Sequence, residues 1–371
     1  MDSTPGLHGR LADMRHIRHE RQFDTITLSC DVGGTNISVG AVGRVGRHFE
    51  LLGQLRFPTQ EQTGLLEPLR SAREEFSALS DGFDYCCISG AGPIYGNRCH
   101  LSNVPWAIDG DRLGEALSLP TKIINDFAAI SYGVPLLNVE DPEQITEIPH
   151  PGRNVTPQAG DDRRLYAVLG AGTGLGVGYL VGGRTRLEAF PSEGGHTLFG
   201  PFDEITREFH AFLSKRRGDL LGSELFVSGQ GIVNAVIFFR ESGRLSDRAI
   251  AGLKGVEQAE LPAAVANLAK EDESCADIMR MFVRMYAKVA ANVTLTFLPS
   301  QGLYLAGGIA SKNEGWFLEG DRFMKAFEAV YKKSLVDTLR NTPVYIVNDY
   351  AISLYGAAHA AYWILDNHSK E

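Results

Sequence analysis

No C-x-x-C pair occurs, and the five cysteines (Cys30, Cys86, Cys87, Cys99 and Cys275) are odd in number. That pattern suggests neither a disulfide framework nor a zinc site, so a reducing compartment is expected. No G-x-x-x-x-G-K-[ST] run exists, which excludes a P-loop enzyme on motif grounds. Positive charge is in deficit: 36 Lys and Arg stand against 45 Asp and Glu, for a formal net charge of -9. A nucleic-acid binder needs a basic face to displace counterions from phosphates, so nucleic acid is not an expected partner. Long apolar runs are also missing. The stretch Val293 to Ala310 is broken by Pro299, Ser300, Gln301 and three glycines, so no membrane span is expected. The first 24 residues carry Arg10, Arg15, Arg18 and Arg21 but no apolar core, so no secretory signal is expected. Asp2, Asp13 and Glu20 argue against a transit peptide, and a cytoplasmic location is the expectation.

What the chain does have is length and an ordinary apolar content: 371 residues, 44% hydrophobic and 22% charged. That is enough to bury two cores, at roughly 150 residues per domain. Residues 1–24 read as a polar tail. The alternation in Thr25 to Cys30 predicts a strand that ends at Asp31, followed by a glycine turn and strands over Ile37 to Val42 and Phe49 to Phe57. Leu65 to Leu79 has helical spacing, and Tyr85 to Ser89 and Thr121 to Asn125 read as strands. A strand, a Gly-Thr turn and a second strand recur at Leu165 to Val181, which suggests two similar α/β halves; two unrelated glycine hairpins would give the same pattern. Ile278, Phe282, Met285, Val289 and Val293 form an apolar helical stripe that belongs in a core, and Arg280, Arg284 and Lys288 form a basic row expected to be solvated. Residues 139–163, with four prolines, read as a loop or inter-domain connection.

Five segments could carry chemistry. Asp31-Val32-Gly33-Gly34-Thr35-Asn36 follows a strand directly. Glycine admits positive φ and close approach, so successive N–H groups and the Thr35 hydroxyl could cradle a phosphate, with Asp31 orienting a metal-bound water; a plain hairpin is the alternative. Gly170-Ala171-Gly172-Thr173-Gly174 opens a strand with glycine at alternate positions, which forfeits packing unless a ligand or another backbone approaches. Asn125-Asp126 ends a buried strand. There Asp126 either caps the next helix or does chemistry, and the Asn125 amide suits a pair of hydroxyls. Glu193-Gly194-Gly195-His196 is a tight turn whose Glu and His could face one ligand. No cysteine lies between Cys99 and Cys275, which argues against a metal there. Leu305-Ala306-Gly307-Gly308-Ile309 runs a strand into two glycines against which a flat adenine could lie, and Ser228-Gly229-Gln230-Gly231 could line the other side.

Taken in order, these five segments resemble the bacterial-type glucokinases of the hexokinase and actin-like ATPase superfamily, over about Ile26 to Ala360. Gly92-Pro93-Ile94, Ser102-Asn103 with Trp106, Pro343-Val344-Tyr345 and Leu354-Tyr355-Gly356-Ala357-Ala358 fit as well. The resemblance implies an α/β, two-domain actin-like ATPase (ribonuclease-H-like) fold with an inter-domain cleft. It implies a small domain over 25–138 plus 350–368 and a large domain over 139–349. ATP phosphates, with Mg²⁺ carried by the ATP and no protein metal site, would meet Asp31, Gly33, Gly34, Thr35, Asn36, Gly172, Thr173 and Gly174. Adenosine would sit near Gly229, Gly307 and Gly308. Glucose would be held by Asn103, Asn125, Asp126, Glu193, His196 and Glu224. The related repressor and kinase family shares the E-x-G-H turn but usually adds a cysteine-rich zinc motif after it, which is missing here.

The implied reaction transfers the γ-phosphoryl group of ATP to the 6-hydroxyl of glucose, with Asp126 as the general base. A hexokinase of another sugar preference, or a non-catalytic sugar sensor on the same fold, are the competing readings. A DNA-binding regulator would need an added helix-turn-helix, for which 24 residues are too few. An ATPase without a sugar would not need Asn125, Asp126, Glu193 and His196. The oligomeric state is left open, a homodimer included.

Overall fold

The computed structural model describes residues 10–14, 23–78, 82–101, 104–157, 164–183 and 186–366, the first stretch as backbone only. Two compact units emerge: Met1–Leu137 with Gly182–Pro191 and Tyr350–Glu371, and Asn138–Val181 with Ser192–Asp349. Gly182–Pro191, expected in the large domain, groups with the first unit instead.

The first unit is built on a six-stranded sheet. Its strands are β1 (Arg10–Met14), β2 (Thr25–Val32), β3 (Asn36–Val45), β4 (His48–Pro58), β5 (Tyr85–Gly90) and, after a small sheet of β6 (Ile94–Tyr95), β7 (Arg98–His100) and β8 (Ala107–Asp109), β9 (Thr121–Asn125). The order is β1-β4-β3-β2-β5-β9, antiparallel from β1 to β2 and parallel from β2 to β9. Alternation explains how β2 is used. Leu28, Cys30 and Val32 point into an apolar core with Cys86 and Ile88, and successive side chains of a strand face opposite sides. Ser29 and Asp31 therefore face the other side, in register with Cys87 and Ser89 of β5. β1 is a correction, because part of the segment read as a polar tail pairs with β4. An exposed strand edge carries unpaired N–H and C=O groups that another strand can satisfy.

A second sheet is formed by β10 (Ile145–Glu147), β11 (Arg164–Ala171), β12 (Leu175–Gly182), β13 (Leu187–Ser192), β14 (Leu303–Ala306) and β15 (Val344–Val347), in the order β10-β15-β14-β11-β12-β13. Without its edge strands β1 and β10, each sheet runs third-second-first-fourth-fifth in its own chain order. That shared order supports the reading of two similar halves over two unrelated hairpins. β10 lies in the segment expected to be a loop, because its short antiparallel pairing with β15 covers that sheet's edge. The helix Glu273–Phe297 buries Ile278, Phe282, Met285, Val289 and Val293 as expected. Its basic row is not simply solvated: Arg284 pairs with Asp203, and the Lys288 ammonium donates to the Ala329 carbonyl.

Candidate functional site

In the first unit, β9 delivers Asn125 and Asp126 to the start of the helix Asp126–Gly133. The residue that caps this helix is Asn125, whose Oδ1 accepts from the N–H groups of Phe127 (2.9 Å) and Ala128 (3.3 Å). Its Nδ2 donates to the Gly92 carbonyl at 3.3 Å. This corrects the alternative that Asp126 is the cap. With the Asn125 amide also bonded to the Asp126 carboxyl, its donors and acceptor are engaged within the protein, so it is not set aside for a pair of hydroxyls as expected. Asp126, relieved of capping, is the first helical residue and is half-buried. Burial, and then the negative charge of Asp31, push its carboxyl up to about 6, against the pull of the Phe127 N–H and the Asn125 amide. A carboxylate poised near neutral pH suits a proton acceptor.

Asp31, on β2, accepts from Ser89 Oγ at 2.5 Å and from Ser353 Oγ at 2.9 Å. Burial raises its carboxyl above the usual range, and the two hydroxyls oppose that shift. The turn that follows is closed by Gly33 N–H on the Asn36 carbonyl (3.0 Å), while the Thr59 hydroxyl bonds the Gly33 carbonyl (2.9 Å). Gly34, Thr35 and Asn36 are exposed. None of Gly33, Gly34, Gly172 and Gly174 stands in the left-handed region, so positive φ is not what these turns need glycine for. What glycine supplies is bare backbone: a Cβ on Gly172 would point into open space. Asn103 lies outside the described residues.

In the second unit the remaining predicted residues gather around Leu175. Glu224 Oε2 accepts from the Leu175 N–H at 3.0 Å, and a Cβ on Gly174 would sit 2.5 Å from that same oxygen. Glu224, expected as a sugar contact, is seen here fixing the glycine hairpin. A Cβ on Gly195 would lie 1.8 Å from the Leu175 carbonyl, so only glycine lets the 193–196 turn press against this strand. That turn leaves Glu193 and His196 exposed, with His196 Nε2 3.7 Å from Glu193 Oε2. Gly229 N–H donates to the Gly172 carbonyl at 2.8 Å, which docks the start of the helix Gly229–Glu241 on the hairpin. Gly307 has φ of 89°, and a Cβ there would meet the Ala171 carbonyl at 2.7 Å. A cavity of about 520 Å³ opens among Gly172, Thr173, Gly229, Gln230, Pro262 and Ile309, a volume that suits a small ligand. Gln230 and Ile309 lie in the two segments expected to line the adenine, whereas Pro262 was not singled out in the sequence, because a lining role leaves no spacing signal.

Among the described residues no group of three or more His, Cys, Asp and Glu could hold a metal, and no helix is long and apolar enough to cross a membrane.

A family model described as glucokinase matches residues 28–363. A glucokinase of Nostoc sp. strain PCC 7120 is 32% identical over 356 residues, spanning 91% of this chain and 99% of the relative. One from Hahella chejuensis is 30% identical, spanning 89% and 95%. Among solved structures, a glucokinase from an Antarctic psychrotroph superposes with a TM-score of 0.75 at 26% identity, covering 91% of this chain and 99% of that one. A Balamuthia mandrillaris glucokinase in complex with glucose gives 0.71 at 22%, covering 91% and 93%, a likeness of fold. The mixed sheets, the half-buried carboxylate just past β9 and these matches agree: the chain belongs to the glucokinase family of the α/β sugar-kinase fold.

Proposed function

We propose that this enzyme transfers the γ-phosphoryl group of ATP to the 6-hydroxyl of glucose, and that Asp126 accepts the hydroxyl proton. The observation that carries the assignment is the Asp126 carboxyl, held at a strand tip by a helix it does not cap and raised to about 6. Phosphoryl transfer leaves the protein mainly positioning and charge stabilisation, with little covalent work. The exposed Gly33–Asn36 turn and the Gly172–Gly174 hairpin are the phosphate cradles in this reading. The cavity beside Gly229 takes the adenosine, with Gly307 and Gly308 at the strand end before Ile309. Glu193 and His196 grip sugar hydroxyls, aided by Asn103, Asn125 and Glu224.

The donor set fits magnesium that arrives on the nucleotide. This ion keeps several waters and takes one or two carboxylates plus phosphates, and Asp31, with lone pairs to spare beyond its two serine bonds, is the carboxylate that would face it. When bound, magnesium neutralises charge on the transferring phosphates. The actin-like arrangement, with a small and a large domain closing a cleft over both substrates, is the finer part of the proposal. It rests on the shared sheet order and on the resemblance. A cytoplasmic enzyme without nucleic-acid partners is the matching cellular reading.

The test is a coupled assay over hexoses and donors. Glucose with ATP is expected to give the highest kcat/KM, and ATP hydrolysis indifferent to glucose would sink the reading. Glu193→Ala and His196→Ala should each raise the glucose KM by about tenfold or more, since a site built to bond each hydroxyl is left unpaired by truncation. An unchanged KM in either variant would remove that residue from the sugar site.

A further inference from the structure

The Ser89 and Ser353 hydroxyls have no assigned part in the reaction, yet both end on one carboxylate. β2 and β5 run parallel with Asp31 opposite Ser89, so both side chains lie on the face of the sheet away from the Leu28 and Cys30 core. Ser89 is fully buried and donates to Asp31 Oδ1 at 2.5 Å, with the Cys30 carbonyl at 3.3 Å as its second acceptor. Ser353 arrives 322 residues later in the chain, from the first turn of the helix Ile352–Ala361, and donates to the other oxygen, Oδ2, at 2.9 Å. Each oxygen of Asp31 thus has one hydroxyl, from two separate elements, and the carboxylate cannot rotate without breaking one bond.

The helix that brings Ser353 is seated against the helix of the base. A Cβ on Gly356 would lie 1.8 Å from the Ala129 carbonyl, and a Cβ on Gly133 2.6 Å from the Ile352 carbonyl. His359 Nδ1 meets the Tyr132 carbonyl at 2.7 Å. The same rigid helix therefore touches Asp31 through a hydroxyl and the Asp126 helix through bare backbone.

We propose that Ser353 is a positioning residue for phosphoryl transfer: paired with Ser89, it fixes the Asp31 carboxylate beside the Gly33–Thr35 turn and ties its placement to that of Asp126. The inference rests on the glucokinase reading and adds to it a role for a hydroxyl that touches neither substrate. Without Ser353, the Ser89 bond still holds Oδ1, but Oδ2 is free to swing, and the orientation offered to the nucleotide's phosphates is lost.

The experiment compares wild type, Ser353→Ala and Ser353→Thr, with Asp126→Asn alongside, for kcat, both KM values, thermal midpoint and ATP affinity by calorimetry. Ser353→Ala is expected to lose about tenfold or more in kcat, the scale of a misplaced reacting group, with glucose KM within about twofold and the thermal midpoint nearly unchanged. Ser353→Thr, which keeps the hydroxyl, should recover most of the loss, and Ser89→Ala should fall in the same direction as Ser353→Ala. A Ser353→Ala enzyme with kcat within about twofold of wild type overturns the inference, as does a threonine variant no better than alanine or a loss explained by a collapsed thermal midpoint. If wild type fails to phosphorylate glucose, the underlying reading fails instead, so the two failures are distinguishable.

Discussion

Replacing Asp126 with asparagine is expected to lower kcat by about 10²–10⁴-fold, the range of general-base assistance, while glucose still binds. The substitution keeps the shape and removes only the proton acceptor. The wild-type kcat/KM should fall as pH drops through about 6, because the carboxyl pushed up by burial and by Asp31 must be ionised to act. Among the described residues, the titratable groups coupled to its charge are the Asp31 carboxyl and the Cys99 thiol, the latter pushed up to about 11 and so neutral throughout this window. A second effect runs in the opposite direction. A carboxyl whose folded value lies above its unfolded value of about 3.9 binds its proton more tightly when folded. The fold thus bears no penalty below about pH 4 and the full penalty above about 6. Asp126→Asn should therefore stabilise the protein by about 1–2 kcal/mol at pH 8, allowing for partial exposure, and by nearly nothing at pH 4. Denaturant titrations at the two pH values check this. A variant that keeps wild-type turnover would remove Asp126 as the base.

Gly356→Ala is the change expected to cost most in the scaffold. In an exposed helix, alanine for glycine would gain about 1 kcal/mol. Here the added carbon would fall 1.8 Å from the Ala129 carbonyl and 2.9 Å from the Gly133 nitrogen, and both are backbone atoms that cannot step aside. The helices must separate, and overpacking of this kind costs about 1–3 kcal/mol or more. Because one of them carries Asp126, a shift on the order of 1 Å could also cost about 10²-fold in turnover. Gly315→Ala, with nothing within 4 Å of its new carbon, is the control and should be neutral or slightly stabilising. A Gly356→Ala protein as stable as wild type would mean that the two helices do not meet as closely as described.

The parts of the molecule readable from sequence are those where local pattern decides. Thr121–Asn125 and Val344–Val347 are short apolar strands bounded by polar residues, and they form as read. The two glycine turns declared themselves by giving up side chains within apolar strands. The failures share a cause, which is that a distant partner decides. Arg10–Met14 is a strand because β4 offers an open edge, not because of its own composition. Asn125, not Asp126, caps its helix, although both residue types are good caps; Asn125 keeps the extended backbone of β9 while Asp126 is already helical. Alternation could have placed Ser89 beside Asp31, since both fall on the same face of neighbouring strands. Nothing local could have placed Ser353 there, 322 residues away. The expectation for Glu224 came from its place in an ordered set of segments, whereas its bond to the Leu175 N–H depends on how the 223–225 turn meets the hairpin.

The most direct test is a crystal structure with glucose and a non-hydrolysable ATP analogue. Proton abstraction requires the 6-hydroxyl oxygen to lie about 2.6–3.2 Å from an Asp126 carboxylate oxygen, with the terminal phosphate in line on the far side of that hydroxyl. Glucose bound with a different hydroxyl toward Asp126, or away from this carboxylate altogether, would contradict the account.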